Sequence, residues 1–301
     1  MKGTNSRATL LYVLSLIIFG SNGIVASYIH LPSYQIVFFR MLLATIFLLL
    51  LFLIQKRPIT FYKFPQDTVA LFGSGVSLGL QWIFLFEAYR LVGVGTATLE
   101  YYTGPIIVMA LTPFIFGEKL SAKKILGFIV VVAGATLIVS NGVEQNLSLI
   151  GLSMGALAAI LYAVMIVCNR HITQISGLEN TIIQLGIGCI VVAITTLIFH
   201  GIEIPADLSS VHWVAVLIIG LFNTGVGSLL YFPQLTQMPV HRVAIFGYLE
   251  PLSAVIFSAL ILEEPFDSLK IIGTACILGG AIFAEIPKPN KRLAKNSLIS
   301  K

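Results

Sequence analysis

At 301 residues, with 57% hydrophobic and only 10% charged residues and a mean hydropathy of +0.96, the chain has too little polar surface to coat a water-soluble globule. The formal charge of +5 invites a nucleic-acid reading. The basic residues, however, sit in short loops between apolar blocks, which excludes a nucleic-acid face and points to anionic lipid headgroups as their partner. The three cysteines form no C-x-x-C pair and are odd in number, which excludes a disulfide framework or zinc site.

A bilayer span needs about 20 mostly apolar residues. The hydrophobic blocks supply ten such stretches, at 8–28, 34–54, 69–91, 95–116, 120–140, 149–170, 178–200, 211–234, 241–262 and 268–286. Each is expected to be a helix, because a span in hydrocarbon must satisfy its own backbone hydrogen bonds. The first has no convincing small-residue cleavage site and reads as a retained helix rather than a signal peptide. With the N-terminus cytoplasmic, 15 basic residues fall on the inner side and two, Arg90 and Lys270, on the outer. That bias sets topology. Both termini are therefore expected in the cytoplasm, in a cell inner membrane.

The first predicted helix is interrupted by Gly20, Ser21, Asn22 and Gly23. Close packing against a neighbour and a cavity-lining role for Asn22 both fit. The second helix carries Arg40 inside its apolar run, where a guanidinium is costly unless paired or hydrated. The third holds Trp82 and, near its outer end, Glu87, with Arg90 one turn beyond. The fourth brings Glu100, Tyr101 and Tyr102. From the helical rise, Arg40, Glu87 and Glu100 share one depth, roughly 6–9 Å below the outer boundary. An Arg40–Glu87 ion pair is expected there. Glu100, on a helix face shared with Thr96, Thr103 and Gly104, then either faces outer water or lines a polar cavity, left over for a cation or a proton. Glu118 and Glu264, in the loops before the fifth and tenth helices, read as helix-start caps. The second half keeps aromatic and amide groups instead of charges: Tyr162, Asn169, Asn223, Tyr231, Gln234 and Tyr248, with Glu250 near the midplane beside Pro251.

Residues 94–135 occur twice, at an offset of 146 residues. Pro105 falls on Pro251, Glu118 on Glu264, Gly127 on Gly273 and Gly134 on Gly280, without a gap. The chain therefore reads as an all-α membrane protein made by tandem duplication, with units at 1–143 and 144–301, the second ending in a basic tail. Five spans per unit is an odd number, so the second unit is inserted upside down, giving two inverted five-helix repeats and ten transmembrane helices in all.

These residues resemble the drug/metabolite transporter superfamily, in its ten-helix EamA-type branch. The resemblance rests on the pattern P-x12-E-x8-G-x6-G, found from Pro105 to Gly134 and again from Pro251 to Gly280. The segments FLFEAYRLVGVGTATLEYYTGP and YFPQLTQMPVHRVAIFGYLEP precede it, Arg40 adds to it, and it covers nearly the whole chain. It implies an alternating-access carrier whose central cavity is enclosed by helices 1–4 and 6–9, with helices 5 and 10 peripheral. Glu87 and Glu100 depart from the neutral residues the resemblance leads one to expect.

The candidate substrate-binding set is Asn22, Trp82, Glu87, Glu100, Tyr101, Tyr102, Tyr162, Asn223, Tyr231, Tyr248 and Glu250, with Arg40 paired to Glu87. Aromatic faces and carboxylates both favour ammonium groups. The expected substrate is thus a small organic metabolite such as an amino acid, amine or drug-like cation, exported with proton coupling at Glu100. An intramembrane enzyme would need a nucleophile–base pair or metal ligands at shared depth. The five histidines lie at or near span ends without an H-x-x-x-H pair. A channel would need a ring of charge or a carbonyl filter, and the sequence shows neither. No metal or cofactor is expected; the partners are the substrate, protons and membrane lipids, with the chain a monomer or homodimer.

Overall fold

The computed structural model describes residues 2–56, 58–117, 121–144, 147–175, 177–199, 201, 211–235, 238, 243 and 246–285. Among these the regular elements are all helical. In chain order they are α1 (Lys2–Gly20), α2 (Asn22–Ser27), α3 (Ser33–Ile54), a short 3-10 turn (Phe61–Lys63), α4 (Pro65–Val92), α5 (Val94–Tyr101), α6 (Gly104–Phe116), α7 (Ala122–Glu144), α8 (Leu149–Arg170) and α9 (Gly177–Phe199). Next, α10 (Trp213–Leu217) runs through a π-helical stretch (Ile218–Val226) into α11 (Gly227–Leu235), followed by α12 (Leu249–Ile261) and α13 (Ser268–Glu285).

Among the described residues, seven helical segments are long and apolar enough to cross a bilayer: Ser6–Ser27, Ser33–Ile54, Pro65–Val92, Ala122–Asn141, Leu149–Arg170, Gly177–Phe199 and Trp213–Tyr231. Each overlaps a predicted span. The predicted span 95–116 is instead divided into α5 and α6, and the last two predicted spans correspond to shorter apolar helices, Leu249–Ile261 and Ser268–Ala284. Pro105 accounts for the division. It sits in the first turn of α6 and has no amide proton to continue the α5 ladder. Pro251 also lies in the first turn of its helix, α12, one residue further in.

The distribution of polarity is inverted relative to a soluble domain. Leu50, Leu53, Phe114, Phe199 and Leu260 face outward, while Ser15, Ser74, Gln81, Thr98 and Thr224 are buried. Such a surface would aggregate in water but matches lipid. Lipid tails are as apolar as leucine, so close packing and interhelical hydrogen bonds have to hold the helices together.

The packing of α7 against α13 shows how. A Cβ on Gly127 would lie 2.7 Å from the Gly280 carbonyl oxygen, and one on Gly134 would lie 2.8 Å from that of Gly273. The pairing is crosswise, so the two helices run antiparallel. Gly127→Ala or Gly134→Ala must displace backbone and is expected to cost about 1–3 kcal/mol. At Gly280 the nearest atoms are the Val130 and Val131 methyls, at 3.0 Å, with the Gly127 carbonyl at 3.1 Å. Those side chains can adjust, so Gly280→Ala should cost less than about 1 kcal/mol. Unfolding of the purified variants in detergent measures the difference; equal losses at Gly134 and Gly280 would contradict this account.

Carboxylates tie the linkers across the two halves. Asp67, at the start of α4, accepts from the amides of Thr173, Gln174 and Ile175 at 2.8, 2.6 and 3.2 Å. Glu179 returns the contact, accepting from the Thr60 and Phe61 amides and from the Thr60 hydroxyl. Glu264 is also a cap, but of a different helix from the one it precedes. Its oxygens accept from Val94 N at 2.5 Å and Gly95 N at 2.9 Å, at the start of α5. Glu118 lies outside the described residues.

Candidate substrate cavity

Two helix irregularities place the polar groups of the interior. The π-helical stretch Ile218–Val226 widens the helix between α10 and α11, and the Thr224 hydroxyl donates back to Ile219 O at 2.8 Å. An extra residue in a turn rotates its neighbours, and such turns gather at functional sites. Here Thr224 accepts from Arg40 Nε at 2.8 Å, and the adjacent Asn223 reaches the break between α1 and α2. The second irregularity is the start of α12 inside the bundle. It places Glu250 in a first helical turn, where the positive end of the helix dipole favours a carboxylate.

Both charges line one cavity of about 860 Å³. Arg40 is 4% exposed, and its guanidinium lies 3.8 Å from the Trp82 ring centroid and 5.3 Å from that of Phe86. Glu250 has the Tyr102 hydroxyl within hydrogen-bonding reach. An aromatic wall lines the same cavity. The Tyr101 and Tyr162 centroids are 4.9 Å apart, Tyr101 and Tyr102 5.4 Å, and Tyr231 packs on Tyr12 and Phe19. The cavity extends past Met165 to the ends of α3 and α8 and the start of α9, where Gln55, Ile172, Gly177 and Asn180 line it. Gln55 and Gly177 are exposed, which makes this end the mouth; beside it the Gln184 amide donates to Asn169 and to Asn180 Oδ1, and Asn169 donates to Ser74 Oγ at 2.8 Å.

Of the predicted set, Asn22, Trp82, Tyr101, Tyr102, Tyr162, Tyr231 and Glu250 line this cavity together with Arg40. The other four are placed elsewhere. The expected Arg40–Glu87 pair does not form. Glu87 accepts from Arg90, one turn away on its own helix, and from the Ser33 hydroxyl, while Arg40 turns to Thr224 and Trp82. Glu100 does not line the cavity either. It is 4% exposed and packs directly on Gly155 of α8, and neither carboxylate oxygen has a hydrogen-bond partner among the described residues. Asn223 is a brace, donating to Ile18 O, Ser21 Oγ and Asn22 Oδ1 at 3.0–3.2 Å. Tyr248 sits in an apolar cluster with Leu99, Ile106 and Val255. Sequence reasoning left Gln81, Tyr89, Thr98, Asn180 and Gln184 out of the site. Their only signal was polarity inside an apolar span.

The sequence pattern of the EamA-like transporter family matches residues 6–140 and again residues 149–285. The chain belongs to this family. It is a membrane-embedded transporter rather than an enzyme, and its substrate is a small molecule. This EamA-like transporter is 28% identical over 291 residues to the Bacillus subtilis (strain 168) transporter YxxF, covering 95% of this chain and 92% of that protein. A protein of Salmonella typhimurium (strain LT2) called a probable amino-acid metabolite efflux pump is 23% identical over 246 residues, covering 76% of this chain and 81% of its own. Among solved structures, one crystal structure superposes with a TM-score of 0.65 at 19% identity, covering 92% of this chain and 96% of that one. That likeness is one of fold.

Proposed function

We propose that this transporter exports a zwitterionic amino acid or a closely related metabolite by alternating access. The observation that carries the reading is that one cation, Arg40, and one anion, Glu250, line the same cavity beside an aromatic wall. A guanidinium presents a planar fork suited to a carboxylate. A carboxylate flanked by tyrosines suits an ammonium group. A relative called an amino-acid metabolite efflux pump agrees with this in substrate and direction. A group that binds ammonium also binds a proton, so Glu250, in the cavity, takes the coupling role that the sequence suggested for Glu100.

The architecture behind this is ten spans in two inverted repeats, exchanging conformations about a pseudo-twofold axis. The crosswise contacts of Gly127 with Gly280 and Gly134 with Gly273 support it. Each joins one glycine of the first repeat to the counterpart of the other, and the two contacts are reciprocal, as in an isologous contact. The distribution of basic residues supports an inner-membrane location with both termini cytoplasmic. On that orientation, the cavity mouth at Gln55 and Asn180 faces the cytoplasm.

Counterflow in proteoliposomes tests the substrate class. Amino acids should compete with one another, while the matching amides, which lack the anion, and the N-acetyl derivatives, which lack the cation, should each compete roughly tenfold more weakly or worse. Choline competing as well as the amino acids would sink the reading. In whole cells, a cysteine at Thr60 should react with an impermeant maleimide only after permeabilisation; reaction beforehand would reverse the orientation.

A further inference from the structure

We propose that Glu264 is the latch that closes the end of the bundle opposite the cavity mouth, and that it must let go of α5 when the carrier opens on that side. The inference rests on the alternating-access reading above and adds the group that holds one end shut.

The contact joins the two repeats. Glu264 belongs to the linker between α12 and α13, yet its two carboxylate oxygens accept from the first two amides of α5, at 2.5 and 2.9 Å. Those amides have no partner within their own helix, and the positive end of the α5 dipole adds to the attraction. Lys270 Nζ stands 3.7 Å from the same carboxylate, is itself buried, and donates to Pro265 O at 3.2 Å. Gly95 makes the approach possible. A Cβ there would lie 2.6 Å from Ser258 Oγ, 3.1 Å from Glu264 Oε2 and 3.3 Å from Lys270 Nζ.

Position decides what the contact does. The linkers beside the mouth are tied at the start of α4, near Asp67, and the latch sits beyond its far end, after Val92. At about 1.5 Å per residue, the 28 residues of α4 separate the two by roughly 42 Å. Tyr89 and Thr98, which line the cavity on the side away from Gln55 and Asn180, are on the helices that meet at the latch. Opening that end means withdrawing α5 from the α12–α13 linker, and the Glu264 bonds are the polar contacts that this motion breaks. Along the rest of their contact Leu99 and Val255 share an apolar cluster and Gly95 faces the Ser258 hydroxyl, while at the cavity end of α5 Tyr102 stays within reach of Glu250.

The test uses the full chain with Cys168, Cys189 and Cys276 replaced by serine and one reporter, Tyr89→Cys, on the cavity wall. In proteoliposomes of known orientation, an impermeant maleimide is added on one side at a time. The reporter should label readily from the mouth side and slowly from the Glu264 side. Glu264→Gln, which loses the charge, and Gly95→Ala, which removes no charge but wedges the contact, should each speed labelling from the Glu264 side by roughly tenfold or more. Glu264→Asp should bring the rate back toward the parent. A reporter at the fully buried Leu48 should stay unlabelled throughout, which separates latch release from unfolding. Parent-like labelling from the Glu264 side in both variants, in folded protein, would overturn the latch while the carrier reading stands. A reporter that labels from neither side would overturn the carrier reading and the latch with it.

Discussion

Arg40→Met is expected to weaken substrate binding by at least about a hundredfold while leaving the protein folded. Truncating one member of a desolvated, hydrogen-bonded charge contact typically costs about 2–5 kcal/mol, and the upper part of that range applies to a guanidinium that is 4% exposed. Methionine keeps much of the side-chain volume and can still pack on Trp82. What it loses is the fork proposed to receive a substrate carboxylate and the 2.8 Å bond to Thr224. Arg40→Lys should be nearly as damaging, because an ammonium neither stacks as a plane nor donates to Thr224 and a carboxylate together. Removing the cation also leaves Glu250 without a nearby opposite charge, so the single variant should be less stable than the parent. The double variant Arg40→Met/Glu250→Gln should recover part of that stability without recovering binding. Isothermal titration and thermal unfolding read the two effects separately. An Arg40→Met protein that binds amino acids within a few-fold of the parent would remove Arg40 from the site.

The charges show where the sequence was legible and where it was not. Hydropathy and the repeat fixed depth, because a span's length leaves little freedom along its axis. Arg40, Glu87 and Glu100 were read at one level on that ground. Rotation about the axis is a different matter, since the neighbours decide it. Arg40 faces the cavity because the π-helical stretch turns Thr224 toward it, and no hydropathy pattern marks a π turn. Glu100 faces away because Gly155 on α8 leaves a hollow for it, and a glycine in an apolar span carries no sign of what it will meet. The Glu87–Arg90 pair, by contrast, was visible in their spacing of one turn. Between two available cations, the local one required no tertiary ordering and won. Glu264 was legible as a cap. Which helix it caps depends on how the repeats dock.

The same displacement of Glu100 assigns the proposed proton coupling to Glu250. For exchange to be coupled, one group has to meet the substrate and the proton in turn, and water must reach it from each side as the carrier turns over. Glu250 lines the cavity, beside Tyr102 and with Arg40, Tyr162 and Tyr231 lining the same space. Glu100 is sealed between α5 and α8, with Gly155 against its carboxylate. It cannot trade a proton with either compartment unless those helices part. Glu250→Gln should therefore abolish the acceleration of export by a proton gradient directed against substrate flow, leaving at most slow gradient-independent exchange. Glu100→Gln, of the same size and without a charge to desolvate, should keep the full response to the gradient. The measurement is initial flux in proteoliposomes with and without an imposed pH difference, using the amino acid that competes best in counterflow. If Glu100→Gln loses the gradient response and Glu250→Gln keeps it, coupling runs through the sealed carboxylate, and the α5–α8 contact must open in every cycle.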